Sequence, residues 1–438
     1  MGSYIPSTAK QREEMLSFLG INNINELYSD VPQQIFSPVI NLPKGMSEME
    51  VLKTMQEYAQ ENHVFSACFR GAGAYDRYIP SIVKRVTAKE EFLTAYTPYQ
   101  AEISQGILQS IFEYQTMICE LTGMQVANAS VYDGASAAAE AAAMCRDTKR
   151  SRTLVSAGAS PFAISTIKTY CFGANASVAM VPTKNGKTDL SALAAMLCDT
   201  DSAFYFAQPN YYGNIEDAEA IAEIVHKAGA KLIMDINPIA APLLKTPGEI
   251  GADIAVGEGQ PLGMPLSFGG PYLGFMAANT ALTRKLPGRI VGETVDTNGE
   301  RAFVLTLQAR EQHIRREKAS SNICSNEALC AMTAAVYMAA MGKTGMCKAS
   351  KQCYDNAHYL ADKLCSINGF KMAYDADFFC EFVIDGGRNA QKLLSALERE
   401  DILGGLPLDN GILWCATEKN TKEQMDTVIR IAREVANQ

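Results

Sequence analysis

The chain has 438 residues, 47% of them hydrophobic, enough for a large core and, by size alone, two or three domains. A net charge of −9, with Lys and Arg scattered along the chain, excludes nucleic acid and anionic membrane as main partners, since both demand a clustered basic surface. The twelve cysteines contain no C-x-x-C pair, and the closest spacings, Cys324 to Cys330 and Cys347 to Cys353, match no metal or redox pattern; they read as buried free thiols of a reducing compartment.

Met1-Gly2-Ser3-Tyr4-Ile5-Pro6 lacks a charged flank leading into an apolar run, and no segment reaches the apolar length of a membrane span, so the expected location is the cytoplasm. Periodicity predicts a helical arm over 8–27, broken by Gly20 and followed by a stretch punctuated by Pro32, Pro38 and Pro43. From about Leu108, long helices alternate with short apolar runs at 153–155, 203–206, 231–234, 254–256 and 273–277. Helices between strands imply an α/β fold with a mostly parallel, covered sheet. A long helical passage from Asn326 leads to predicted strands at 378–384 and 412–415 and helices at 390–399 and 422–435. The expected organisation is an N-terminal arm (1–65), a large domain (66–330) and a small C-terminal domain (331–438), with no internal repeat or flexible linker.

The run Asn128-Ala129-Ser130-Val131-Tyr132-Asp133-Gly134-Ala135-Ser136 enters an Ala-rich helix. Small residues there let the backbone approach an anion, and the helix start offers unpaired N–H groups and a favourable dipole, which makes Asp133, Gly134, Ala135 and Ser136 a candidate phosphate cradle. The same run also reads as an Asp or Ser cap on a helix packed through alanines. Further on, Leu232-Ile233-Met234-Asp235-Ile236-Asn237-Pro238 ends a strand with an aspartate, as fold-type-I pyridoxal phosphate enzymes do to hold the pyridine nitrogen. Asp235 and Asn237 are expected on one strand face, and a polar strand end capping the next turn is the plainer reading. That fold places a Schiff-base lysine within a few tens of residues, yet none occurs between Lys245 and Lys285. The run Asp253-Ile254-Ala255-Val256-Gly257-Glu258-Gly259-Gln260-Pro261 offers Gln260 or Pro261 instead. The glycine-rich runs at 257–263 and 269–271 do not form G-x-G-x-x-G between a strand and a helix and read as tight turns.

Several runs resemble one family closely. They are Tyr4-Ile5-Pro6-Ser7-Thr8, Gly71-Ala72-Gly73-Ala74-Tyr75-Asp76-Arg77-Tyr78-Ile79-Pro80, Thr94-Ala95-Tyr96-Thr97-Pro98-Tyr99-Gln100-Ala101-Glu102 continuing through Ser104-Gln105-Gly106, and His313-Ile314-Arg315-Arg316-Glu317-Lys318-Ala319-Ser320-Ser321-Asn322-Ile323-Cys324. Across essentially the whole chain the sequence resembles the glycine cleavage system P-protein, in the alpha (N-terminal) subunit of its two-subunit form. The resemblance implies glycine dehydrogenase (decarboxylating): glycine loses its carboxylate as CO2 and its aminomethyl group passes to the lipoylated carrier H-protein, with pyridoxal phosphate as electron sink. It also implies an alpha2beta2 heterotetramer, the cofactor lysine on the beta subunit, and an alpha subunit of similar fold without that lysine.

Two runs depart from the family pattern. Arg77 stands where the family's Y-D-H-Y run has histidine, and Ile236 and Asn237 replace the small residues that follow the aspartate in a beta-type D-G-A-N. If loops of one subunit line the other's active site, Tyr96, Tyr99 and His313 are the candidate contributions, orienting a substrate carboxylate or the lipoyl arm. A packed aromatic is the plainer reading of either tyrosine. His226 and His358 sit in helical patterns and read as surface or packing residues, and His63 carries no signal. Arg315, Arg316 and Lys318 form a cationic cluster suited to a carboxylate or phosphate, or to a solvated helix face or subunit salt bridges. Two other readings remain: a self-sufficient pyridoxal phosphate decarboxylase or aminotransferase using Lys245 or Lys285, and a non-catalytic assembly subunit.

Overall fold

The computed structural model describes residues 7–36, 41–93, 95 and 97–437. They fall into two compact units, Met1–Val64 and Phe65–Gln438. In the first, α1 (Ala9–Leu19) starts in a capping box between Thr8 and Gln11 and stops at Gly20, whose φ of 70° is the left-handed conformation that ends helices. A 3-10 turn follows at Ile24–Tyr28, capped by Asn23 with Glu26, and α2 (Glu48–Gln60) begins at a third capping box, Ser47 with Glu50.

The second unit is built on a seven-stranded sheet. Its strands in chain order are β1 (Val126–Ala127), β2 (Arg152–Ser156), β3 (Val178–Val181), β4 (Asp201–Gln208), β5 (Lys231–Ile236), β6 (Ile254–Glu258) and β7 (Gly274–Ala278). Their spatial order is β1-β7-β6-β5-β4-β2-β3. The strands from β3 to β6 pair in parallel, and β7 runs antiparallel to both β6 and β1. The continuous apolar runs follow from burial on both faces. On β4, Phe204 and Phe206 enter the core on one face with Leu232, Met234 and Phe275, while Ala203 and Tyr205 enter the other with Ile233, Val256 and Met276. Each of the two phenylalanines, fully buried, contributes on the order of 1.5–3 kcal/mol.

Helix α3 (Gln105–Thr122) packs beside a hairpin of β8 (Ile290–Val295) and β9 (Arg301–Thr306), which the sequence reading did not include. Two glutamines of α3 clamp it: Gln115 bonds both backbone groups of Val291 (2.9 and 3.0 Å), and Gln105 both of Phe303 (2.8 and 2.9 Å). Helix α4 (Gly134–Cys145) lays buried alanines against the sheet, which lets its backbone come close to β6. Helix α5 (Pro161–Gly173) packs on α4.

A 38-residue helix, α6 (Ala328–Cys365), bends at Gly342 and leads to a second sheet of β10 (Lys371–Met372), β11 (Glu381–Asp385), β12 (Leu406–Leu408) and β13 (Gly411–Cys415), in the order β10-β11-β13-β12. This sheet is covered by α7 (Ala390–Arg399) and α8 (Lys422–Ala436). The strand predicted at 378–384 begins later, at Glu381. The preceding residues bond the loop after β4 instead: Ile215 N–H donates to Asp377 O (2.8 Å) and Phe379 N–H to Gly213 O (3.2 Å). That pairing ties the smaller sheet to the end of the larger one where the cavity described below opens. Among the described residues no helix is long and apolar enough to cross a membrane, and all twelve cysteines are free.

Candidate functional site

A cavity of about 560 Å³ lies at the carboxyl ends of β4, β5 and β6, the crevice where open α/β sheets bind ligands. Its walls include Ala207, Asp235 and Glu258 from those strand ends, the start of α4, the loop 71–75 and Glu381. Four carboxyl groups line it, from Asp133, Asp235, Glu258 and Glu381, and among its described lining residues there is no Lys, Arg or His.

Asp235, the penultimate residue of β5, accepts a 2.5 Å hydrogen bond from the Tyr205 hydroxyl on the neighbouring strand. Burial pushes its carboxyl from 3.8 up to about 7, and the tyrosine bond only partly offsets this. Asn237 lines the same cavity as Asp235. It lies beyond the strand end, and its Oδ1 accepts from Ile239 N–H (2.9 Å), capping the turn.

The start of α4 is already supplied with anions. Asp133 caps it conventionally, accepting from Ser136 N–H at 2.7 Å. The Gly134 N–H donates to Glu258 Oε2 (2.9 Å), whose other oxygen accepts from Gln260 N–H (2.9 Å) and Leu273 N–H (3.1 Å). Burial nevertheless raises the Glu258 carboxyl to about 7, outweighing its three donors, with Asp133 adding to the rise. Ala135 lines the cavity beside them.

Of the two positions that replace the missing lysine, Pro261 lines the cavity and Gln260 does not. The Gln260 side chain is fully buried and closes on the loop 71–75: its Oε1 accepts from Tyr75 N–H (2.9 Å), and its Nε2 donates to Tyr75 O (3.0 Å) and Met264 O (2.7 Å). Tyr75 in turn donates through its hydroxyl to Glu381 Oε2 (2.7 Å), while Ala72 N–H donates to the other oxygen (2.6 Å). Burial raises both the Tyr75 and the Glu381 side chains above their ordinary values. Lys245 is exposed and paired with Glu219 at 2.5 Å, and Lys285 donates to Met144 O at 3.0 Å; neither lines the cavity.

Pyridoxal phosphate requires an amine, an open anion seat and an acid for the ring nitrogen. Only the acid is offered here. Neither Gln260 nor Pro261 offers an amine, and the first N–H of α4 is taken by the chain's own carboxylate. The cavity therefore does not fit the cofactor.

The remaining candidates lie elsewhere. Tyr96 falls outside the described residues. Tyr99 is exposed, and its phenol oxygen accepts from Arg289 Nη2 at 3.3 Å with the guanidinium 5.3 Å from the ring centre. Arg289 is buried; it also donates to Ser325 and Asn326, both at 3.3 Å, and no carboxylate pairs with it among the described residues. His313, on the short helix Gln312–Arg315, has Nδ1 3.7 Å from Glu311 Oε2. Arg315, Arg316 and Lys318 are exposed beside it. Arg77, at the family's histidine position, is buried and bonds Glu418 Oε2 at 2.8 Å and Cys353 Sγ at 2.7 Å. His226 pairs with Asp253 (3.1 Å), and His358 stacks between Tyr354 and Phe378.

Glu258, Gln260, Glu381 and Arg289 were given no role by the sequence reading. The signal for the first two was an acid and an amide alternating in the run read only for its absent lysine.

Comparison with known proteins agrees over the whole length. Residues 2–432 match the family model of the glycine cleavage system P-protein. The chain is 47% identical over 440 residues to the probable glycine dehydrogenase (decarboxylating) subunit 1 of Moorella thermoacetica, covering 98% of this chain and 99% of that one. It is 46% identical to the protein of the same name in Carboxydothermus hydrogenoformans, covering 98% of each. A crystal structure of glycine decarboxylase (P-protein) of the glycine cleavage system, in inhibitor-bound form, superposes with a TM-score of 0.94 at 39% identity, over 99% of this chain and 100% of that one. A sphingosine-1-phosphate lyase from Burkholderia pseudomallei shares the fold alone, with a TM-score of 0.68 at 13% identity over 92% of this chain and 94% of that one. The architecture is thus that of fold-type-I pyridoxal phosphate enzymes, and the chain belongs to the glycine cleavage system P-protein family.

Proposed function

We propose that this chain is the lysine-less alpha subunit of glycine dehydrogenase (aminomethyl-transferring), acting with a beta partner that holds pyridoxal phosphate. Glycine is the substrate and the lipoylated H-protein the acceptor of its aminomethyl group, in a cytoplasmic alpha2beta2 assembly. The cofactor, bound to the partner, supplies the electron sink for decarboxylation. The observation that carries this reading is the cavity at the strand ends, whose described lining residues include no lysine, in a chain whose relatives are named subunit 1. A one-chain pyridoxal enzyme using Lys245 or Lys285 is disfavoured, because neither amine reaches that cavity.

In this reading the alpha subunit serves the partner's site through its surface. Tyr96, Tyr99 and His313 are the proposed contributors, and the buried, carboxylate-free Arg289 under Tyr99 gives that face a cation suited to a substrate carboxylate. The second reading, a subunit that only holds beta and recruits the carrier, is favoured by the inward-turned polar groups of the cavity. Tyr99→Phe separates the two. Loss of turnover with assembly intact supports a chemical contribution, and unchanged turnover supports the assembly role.

The deciding experiment is glycine-dependent exchange of labelled bicarbonate into the glycine carboxyl, with lipoyl carrier and pyridoxal phosphate present. The chain alone is expected to be inactive and the chain with its beta partner active. Exchange by the chain alone overturns the assignment.

A further inference from the structure

Three backbone donors from separate segments, Gly134, Gln260 and Leu273, converge on the one carboxylate of Glu258 at 2.9–3.1 Å. Such a convergence beside the start of a twelve-residue helix is the arrangement a ligand's phosphate takes at a helix N-terminus. The fit is close. A Cβ built on Gly134 stands 2.9 Å from both the Cβ and the backbone nitrogen of Glu258, so no space remains between the helix start and the end of β6. Asp133 holds the Ser136 N–H. The other carboxyls facing the cavity, with no base among its described lining residues, add like charge against an incoming phosphate dianion.

We propose that Glu258 is a built-in substitute for a ligand's phosphate, closing this cavity to phosphorylated pyridine cofactors and capping α4 without one. This explains why a chain with the fold and the strand-end aspartate of a pyridoxal enzyme is complete without a cofactor. The loss of the lysine removes the covalent link, and Glu258 removes the remaining affinity for the phosphate. It also gives the start of α4 a built-in hydrogen-bond acceptor that is present whether or not any ligand is bound. The inference holds whatever reaction the assembled complex performs.

The test uses the full chain and pyridoxamine 5′-phosphate, which has no aldehyde to react with surface lysines, measured by equilibrium dialysis. Wild type is expected not to retain the probe. Glu258→Ala is expected to bind it about tenfold more tightly, in competition with inorganic phosphate, a change equivalent to about 1.4 kcal/mol and within the range of a charge-assisted helix-terminus contact. Phosphate-free pyridoxamine is the control, and its binding should not change between the two. Glu258→Gln, which keeps the side-chain volume and one acceptor oxygen, should bind the phosphate probe with intermediate affinity if the alanine variant does not fold. Inorganic phosphate, against chloride at equal ionic strength, should raise the thermal midpoint of the variants and leave wild type unmoved. Three results overturn the proposal: wild type that binds the probe with phosphate competition, a folded variant that binds no better than wild type, or a gain shared equally by pyridoxamine.

Discussion

Gln260 occupies the turn where a lysine was expected, and its role can be tested by removing it. In Gln260→Ala three hydrogen bonds disappear at once: the acceptor for Tyr75 N–H and the donors to Tyr75 O and Met264 O. The site is fully buried, so the released groups do not meet bulk water. An orphaned buried donor costs about 1–3 kcal/mol and an orphaned carbonyl somewhat less, because it has two lone pairs to satisfy elsewhere; together the loss is about 3–5 kcal/mol. The loop 71–75 also loosens its hold on Glu381, which Tyr75 and Ala72 bond, so the cavity wall is disturbed with it. Equilibrium urea unfolding reads the change as a lower midpoint at an unaltered slope. Gln260→Lys should be no milder. An ammonium can donate to the two carbonyls but cannot accept from Tyr75 N–H, and its charge would be fully buried. Treatment of that variant with pyridoxal phosphate and borohydride should not label position 260, whose side chain is turned away from the cavity. A Gln260→Ala variant within about 1 kcal/mol of wild type, or specific labelling of Lys introduced at 260, would refute the reasoning.

Other predictions concern the buried charges and the helix start. Arg77→Met leaves the Glu418 carboxylate largely buried without its cation and should cost about 3–5 kcal/mol near neutral pH, by urea unfolding. Burial pushes the Glu418 carboxyl up, but Arg77 and the Tyr78 N–H outweigh it and hold it below its ordinary value. The pair therefore stabilises fully above the ordinary carboxylate range and fades as pH falls through it, so the gap between wild type and variant must narrow on acidification; a constant gap from pH 7 to pH 4 would contradict this. Asp235 has the opposite sign. Raised from 3.8 to about 7, it binds its proton more tightly when folded, so it makes stability fall as pH rises between those values. Asp235→Asn should remove that part of the slope and leave the part due to Glu258, which is raised to about 7 in the same direction; an unchanged profile would show that Asp235 is solvated. Gly134→Ala should cost about 1–3 kcal/mol, because its methyl must displace the end of β6 from α4, and a variant as stable as wild type would mean that the helix start can shift freely.

How far the sequence could be read follows from where each signal resides. Runs such as 203–206 and 231–234 are apolar throughout because both faces of β4 and β5 are buried, and a continuous run is visible in one dimension. The hairpin of β8 and β9 escaped despite the turn Asp296-Thr297-Asn298-Gly299, since its strands mix exposed Glu293 and Thr294 with buried Ile290 and Val291, and its edges are satisfied by glutamines of α3 distant in sequence. Asp235 was legible because its position at a strand end is local. Asn237 lies one residue past the strand, which stops at Ile236, and lines the same cavity while its side chain caps Ile239.

The cavity shows the same division more sharply. A missing lysine is a fact about composition over some forty positions, and it can be counted from the sequence. What fills the helix start and the loop 71–75 cannot, because Glu258 meets Gly134 across 124 residues and Gln260 meets Tyr75 across 185. In the linear text a glutamate and a glutamine among glycines look like a solvated loop. Only the closure of the sheet brings them to the helix start and the loop 71–75, where a carboxylate and an amide satisfy backbone groups that a ligand would otherwise have to reach. A pocket that takes no cofactor must still satisfy the polar groups that a bound ligand would otherwise meet, since orphaned buried donors are costly. The residues that do so are therefore what closes the site, and substituting them, rather than introducing a lysine alone, is the perturbation that should open it.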